Sequence, residues 1–306
     1  MIVMKPTLLV LAAGMGSRYG GVKQIDAVGL HNETLLDFGV YDALHSGYGK
    51  VVFIIRKDIE KDFRERLFDR IARNMDAEYV FQGKDSLLTE DQFKLAENRK
   101  KPWGTIHALL CAKDVINTPF TVINADDYYG RSAYQTMGKY LSELPVDSTK
   151  HAMVGYILAN TMSHSGSVSR GICTVKNGML VDMVENTKIE YTADGGVVSH
   201  FDGRDIELTG NETVSMNFFG FTPKVFDSFV PYWEEFISKN ATAEKAECLL
   251  PNGVGKMVKD GEGTVTVLTS SERWFGMTYP EDKQQVCDEL AVKIKSGYYP
   301  EKLWEK

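Results

Sequence analysis

Three short stretches of this 306-residue chain combine residue types that could do phosphoryl chemistry. The first, Leu11-Ala12-Ala13-Gly14-Met15-Gly16-Ser17-Arg18, is followed by Lys23-Gln24. Glycines at 14 and 16 let backbone N–H groups close on an anion, while Arg18 and Lys23 add fixed positive charge. The second runs from the apolar Phe120-Thr121-Val122-Ile123 into Asn124-Ala125-Asp126-Asp127. A carboxylate there can hold Mg²⁺, a hard cation that favours carboxylate, water and phosphate oxygens. Asp126 and Asp127 are the carboxylates available there; the alternative is a turn or cap ahead of a helix near Ser132. The third is Lys101-Pro102-Trp103-Gly104-Thr105-Ile106-His107-Ala108. A glycine before a helix lets a flat base lie against the backbone, where the N–H and C=O groups of Gly104 and Thr105 can read its edge.

These stretches need elements to hold them in register. Thr7–Leu11, Lys50–Ile55, Glu78–Phe81 and Phe120–Ile123 are strand-like. Thr34–His45, Asp58–Asn74 and Ile106–Ala112 carry helical periodicity between them. That alternation predicts an α/β fold: a doubly wound, mainly parallel mixed sheet with a Rossmann-like nucleotide-binding half over 1–150. In such sheets ligands bind beyond the carboxyl ends of the strands, which would put Gly14 and Asp126 in one crevice. From about His151 the texture turns β-rich. Met153–Leu158, Gly171–Val175, Met179–Glu185 and Thr213–Phe221 read as strands, and Asn177-Gly178 is a strong hairpin signal. A helix over Pro223–Ser238, a strand over Thr264–Leu268 and a helix over Glu281–Lys295 follow. Residues 151–306 are expected to form an acceptor-binding half with C-terminal helices, within a single unit spanning 1–306.

Composition narrows the partners. A net charge of −7 and a pI near 5.5 argue against a nucleic-acid surface, yet allow a local cationic site. No segment approaches the ~20 apolar residues of a membrane span, so no membrane partner is expected. Lys5 and the apolar run to Ala13 mimic a short secretory leader, but a first strand explains them better. The four cysteines (Cys111, Cys173, Cys248 and Cys287) are far apart and lack metal-ligand spacing. Free thiols in a reducing compartment follow, hence a cytoplasmic location. The six histidines show no ligand-spaced pair. Trp233, Tyr298, Tyr299 and Trp304 are candidates for a homo-oligomer interface, with aromatic core packing as the alternative.

Three known glycine loops compete for the first stretch. The G-x-G-x-x-G fingerprint needs glycine at 19, where Tyr19 stands. The G-x-x-x-x-G-K-[ST] loop fails because Val22 precedes Lys23 and Gln24 takes the hydroxyl position. What fits is L-x-A-G-x-G-x-R followed by K-[PQ], and here the chain resembles the sugar-phosphate nucleotidyltransferases. The resemblance implies that Leu11, Ala12, Ala13, Gly14 and Gly16 wrap a nucleoside triphosphate that Arg18 and Lys23 neutralise. It implies Asp126 as a Mg²⁺ ligand, and Gln82, Gly104 and Thr105 at the base. About twenty residues separate Gln82 from Gly104, where the family has a few, so an inserted charged loop (Lys84–Lys100) must border the site. Val184-Glu185-Asn186-Thr187-Lys188 resembles the sugar-binding V-E-K-P segment, with Asn186 in the lysine's place and Lys188 displaced. Arg170-Gly171 resembles the family's sugar-contacting glycine and Ser215–Gly220 its N-x-G segment, so Gly171, Glu185, Lys188 and Asn217 are implied as acceptor contacts. Trp274–Asp282 is similar to a closing W-x-D-x-x-T-P-E-D segment, but Gly276 stands where the family's second metal-binding aspartate belongs. The implied activity is Mg²⁺-dependent formation of an NDP-sugar and pyrophosphate from a nucleoside triphosphate, UTP first, and a sugar-1-phosphate. Two alternatives stay open: a cytidylyltransferase acting on phosphocholine or another non-sugar phosphate, and an inactive nucleotide-binding regulator.

Overall fold

The computed structural model describes residues 4–14, 26–163, 166–270, 272–277 and 281–304. Gly16, Arg18 and Lys23 of the opening loop lie outside the described residues.

The first half follows the sequence pattern closely. Strand β1 (Thr7–Leu11) leads towards helix α1 (Leu35–Leu44) and strand β2 (Lys50–Ile55). Thr34 caps α1 with a capping box: its hydroxyl accepts from the Asp37 N–H, and the Asp37 carboxylate accepts from the Thr34 N–H. A broken helical stretch follows, with α2 (Glu60–Phe63) and α3 (Asp69–Ile71) joined by a π turn. Then come β3 (Asp76–Phe81), α4 (Glu90–Leu95), α5 (Thr105–Cys111), β4 (Phe120–Asn124), the short β5 (Asp127–Tyr128) and α6 (Arg131–Ser142). The second half contains β6 (Lys150–Ile157), β7 (Val168–Lys176), β8 (Met179–Tyr191), β9 (Val197–Phe201), β10 (Arg204–Leu208) and β11 (Thr213–Phe221). It closes with α7 (Phe226–Asn240), α8 (Leu250–Lys259), β12 (Thr264–Thr269), β13 (Phe275–Gly276) and α9 (Asp282–Lys295). The β7–β8 turn places Asn177 and Gly178 at φ 53° and 74°, so both central residues are left-handed, as a type I′ hairpin demands.

One large sheet runs β10-β9-β8-β12-β6-β11-β4-β1-β2-β3, with β7 paired to both β8 and β11. Strands β3, β2, β1 and β4 are mutually parallel, and β12 lies parallel to β6. Every other pairing in this sheet is antiparallel, so the expectation of a mainly parallel sheet holds only for the first half. The physical reason is the hairpin-rich stretch after residue 150, whose short turns can join only antiparallel neighbours. Alternate residues of β1 and β2 feed two cores. Leu8, Val10, Val51 and Phe53 pack with α1 and α6, while Leu9, Val52 and Ile54 pack with α5, α7 and α8. Burial on both faces explains why these strands read as unbroken apolar runs.

Strand β11 joins the halves. Val214 and Ser215 pair with β6 on one side and β7 on the other, whereas Phe219–Phe221 pair with β4. The register breaks between Ser215 and Phe219, and Asn217 sits in that bulge at φ 59°. The C-terminal segment is held by buried carboxylates of α1. Asp42 accepts from the Tyr299 hydroxyl at 2.5 Å and from Arg131 Nε at 2.8 Å. Asp37 accepts from Trp304 Nε1 at 2.8 Å and from Arg70. Trp233, Tyr299 and Trp304 are therefore core residues, not interface candidates. No described helix is long and apolar enough to cross a membrane.

Candidate functional site

Leu11 of β1 pairs with Asn124 of β4, and the Ala125 N–H donates to the Leu11 carbonyl at 3.2 Å. The Ala12 N–H is taken by Ile54 of β2 at 2.9 Å, and Ala12 and Ala13 are buried while Gly14 is exposed. The opening glycine and Asp126 thus emerge from the carboxyl ends of two adjacent interior strands. Where β11 hands over from β4 to β7, a gap opens. It holds a cavity of about 280 Å³ lined by Asn124, Asp126, Asp127, Ser169, Arg170, Glu185, Asn217 and Trp274, among others. Three of the sequence-derived candidates, Asp126, Glu185 and Asn217, line it together.

The acidic turn is not a helix cap. Gly130 occupies the N-cap of α6 at φ 81°, and Asp127 belongs to β5. One carboxylate oxygen of Asp127, Oδ2, accepts from Asn124 Nδ2 at 2.8 Å and lies 3.1 Å from the buried Tyr129 hydroxyl. That hydroxyl also reaches the Met216 carbonyl at 2.9 Å and accepts from the Asn124 N–H at 3.0 Å, which ties β4 to the β11 bulge. Across the β5–β13 pair, Gly276 faces Asp127. A Cβ at 276 would stand 2.7 Å from Asp127 Oδ1 and 2.9 Å from Trp274 Cζ2. The space that a side chain at 276 would enter is already filled by the Asp127 carboxylate.

Electrostatics sharpen this cavity. Burial pushes the Glu185 carboxyl up to about 7, with Arg170 pulling the other way. Burial also lowers the Arg170 guanidinium to about 10, opposed by Asp127 and Glu185. Because the Glu185 pKa is raised on folding, its contribution favours the native state at low pH and is lost as pH rises through about 7. Glu185→Gln should therefore flatten the fall in stability between about pH 4.5 and 7, a difference of roughly 3 kcal/mol at the upper limit. Urea midpoints of both proteins across that range check this; parallel curves would refute it.

The base segment is arranged differently from the expectation. Gly104 adopts φ 98°, and a Cβ there would lie 2.6 Å from the Cys248 carbonyl oxygen and 2.7 Å from its nitrogen. The Cys248 N–H donates to the Trp103 carbonyl at 2.7 Å, and Ile106 N–H donates to the Cys248 carbonyl at 3.0 Å. The freedom of Gly104 is thus used for close approach of the 248 backbone, and the Thr105 hydroxyl accepts from the Leu250 N–H at 2.7 Å. Gln82 Nε2 donates to the Gly104 carbonyl at 3.2 Å and to His107 Nδ1 at 3.0 Å. Since the Ser86 carbonyl, 2.8 Å from His107 Nε2, can only accept, the ring proton sits on Nε2. Burial lowers the His107 pKa to about 4, which keeps the ring neutral and removes it as a base. The inserted 84–100 loop is fastened down near its C-terminal end. Arg99 donates to the carbonyls of Lys101, Pro102, Ala243 and Ala246 and stacks 3.7 Å from the Trp103 ring.

Two acceptor candidates stay out of the cavity. Gly171 pairs with Glu185 and Ser215, and a Cβ on it would stand 3.2 Å from Met183 Sδ, so its small size serves strand packing. Lys188 is half-exposed and ion-paired to Glu190 at 3.3 Å. Val168 pairs with Ile189 and Arg170 with Asn186, so β8 carries an extra residue there that turns Lys188 aside. Asn186 spends its own side chain on the Val184 carbonyl and the Ser199 hydroxyl. Sequence reasoning missed Arg170 as a cavity residue; its signal was a lone arginine inside an otherwise half-apolar strand.

Neither a protein-family model nor a curated protein sequence matches the chain. Solved structures do. A UDP-glucose pyrophosphorylase complexed with UDP-glucose superposes with a TM-score of 0.61 at 17% identity, over 95% of this chain and 100% of that one. The fold is that of the nucleotidyltransferases. An inositol-1-phosphate CTP transferase from T. maritima gives 0.60 at 16% identity, over 96% and 97% of the two chains. A protein described as a glucose-1-phosphate thymidylyltransferase from Bacillus anthracis, in complex with a sucrose, gives 0.61 at 14% identity, over 92% and 94%. The nucleotidyltransferase fold thus agrees with the resemblance carried by the opening loop.

Proposed function

We propose that the protein is a Mg²⁺-dependent nucleotidyltransferase that joins a nucleoside triphosphate to a sugar-1-phosphate, releasing pyrophosphate. The observation that carries this reading is the cavity at the carboxyl end of β4, where Asp126, Asp127, Glu185 and Asn217 meet beside the strand that leads to Gly14. The donors fit a hard cation: Asp126 and Asp127 offer carboxylate oxygens, and Gly276 leaves Asp127 the space it occupies. Among the described residues no third metal-binding side chain joins them, so water and phosphate would complete the shell. When bound, Mg²⁺ would offset the charge that builds on the phosphates during transfer.

The rest is positioning. An acceptor phosphate is ionised at neutral pH, so its oxygen can attack the α-phosphorus in line without a strong base, and the neutral His107 is not required for one. Arg18 and Lys23 would neutralise the triphosphate, and Asn217 and Glu185 would hold acceptor hydroxyls. Both Gln82 N–H donors are committed to the protein, which leaves Oε1 to accept from a base N–H, as uracil N3 or the cytosine amino group can donate. UTP is the preferred nucleotide. Pyrophosphate release should be measured with UTP, dTTP and CTP against sugar-1-phosphates, inositol 1-phosphate and phosphocholine. UTP with a sugar-1-phosphate should turn over fastest. Nucleotide binding without release anywhere on that panel would make the protein a regulator instead.

A further inference from the structure

Arg170 lies within β7 and is 7% exposed, yet it lines the cavity. Its Nε donates to the Thr161 hydroxyl at 3.0 Å, Nη1 to the Ser169 carbonyl at 2.8 Å, and Nη2 to the Thr161 carbonyl. The guanidinium centre rests 4.8 Å from the Trp274 ring. All three acceptors are neutral, and among the described residues no carboxylate forms an ion pair with it; Asp127 and Glu185 pull on it from longer range. A buried cation without an ion-pair partner is costly to maintain. A guanidinium has five N–H donors, so two remain after these three bonds.

The wall beside it also lacks an acceptor. Among the described residues Trp274 Nε1 is buried with no hydrogen-bond partner, and Trp274 is itself 7% exposed. Unused donors on a buried cation and on its stacking partner call for an oxyanion. No other cation supplies that charge: among the described residues Arg170 is the one that lines the cavity. Across the strand pair stands Asn186, whose amide is turned into the protein, and Lys188 is bound to Glu190 outside.

We propose that Arg170 binds the phosphate of the acceptor and sets the preference for a phosphorylated acceptor over the same compound without phosphate. This rests on the nucleotidyl-transfer reading above, because it places the acceptor in this cavity. The rigid fork, fixed by Thr161 and Ser169 and backed by Trp274, would present its remaining donors together, which a lysine cannot do.

The test is equilibrium binding of glucose 1-phosphate, inorganic phosphate and glucose to the wild type, Arg170→Gln and Arg170→Lys at constant ionic strength. Arg170→Gln should weaken both phosphate probes between about tenfold and a hundredfold and leave glucose unchanged, with Arg170→Lys in between. Binding of UTP should change by less than about threefold, because the triphosphate is held elsewhere. Should the glutamine variant not fold, the lysine variant decides alone, since unchanged phosphate affinity in it refutes the assignment. Equal weakening of UTP, unchanged phosphate affinity in a folded Arg170→Gln, or a wild type that binds neither phosphate probe would each overturn the proposal. The two readings also fail apart. Phosphate binding that depends on Arg170, with no pyrophosphate release by the wild type, keeps this assignment and discards transfer. Turnover with an acceptor KM indifferent to Arg170 does the reverse.

Discussion

Asparagine in place of Asp126 should lower pyrophosphate release by about three orders of magnitude while the protein melts where the wild type does. The charge offset supplied at a metal site is worth several kcal/mol, and each ~1.4 kcal/mol is tenfold in rate. The fold should tolerate the change because asparagine keeps the shape of the side chain and the backbone bond in which the Asp126 carbonyl accepts from the Met277 N–H at 3.1 Å. Asp127→Asn is the paired experiment. Its Oδ2 is already engaged by Asn124, so an amide there disturbs the strand ends as well as the site. Turnover of Asp126→Asn within tenfold of the wild type would remove Asp126 from the mechanism.

The largest stability effect is expected at Gly104. Its φ of 98° with ψ of −176° falls in a region that only glycine occupies readily, at roughly 1–3 kcal/mol for other residues. A methyl group would in addition collide with the Cys248 backbone, 2.6 Å from its carbonyl oxygen, which has no side-chain freedom to yield. Two hydrogen bonds to Cys248 hang on that approach. Gly104→Ala should therefore cost about 3 kcal/mol or more, read as a fall in the urea midpoint. A loss under about 1 kcal/mol would mean that the 248 segment moves aside easily.

Much of the fold was legible because its central strands bury both faces and its first helix and the β7–β8 turn carry polar or glycine residues of known geometry. Thr34 and Asp37 announce α1, and Asn177-Gly178 announces its hairpin. The β9–β10 hairpin escaped because Arg204–Leu208 is exposed along almost its whole length, which leaves no apolar alternation to detect. Within the site, Asp126 follows the end of β4, which sequence marks well, whereas Glu185 lies inside β8 and was implied by the family resemblance. The role of Gly276 follows from neither: its partner Asp127 lies far away in the chain, and only the β5–β13 pairing shows that one carboxylate occupies the other's space. Gly104 shows a different limit, since a glycine signals that something comes close without saying what does. Lys188 lies outside the cavity because β8 carries a single extra residue at that point, which sequence does not mark.

Strand β11 has a consequence for how the molecule comes apart. It enters the chain after residue 212, yet it lies between β4 and β6, and its bulge carries Asn217 into the cavity. A cut near residue 150 would strip β4 of this neighbour and leave its edge open. The parts before and after residue 150 are then not modules that recombination could exchange: each completes the other's hydrogen-bonded ladder. Two such fragments made separately would be aggregation-prone alone and would regain the cavity only by reassociating along that one strand.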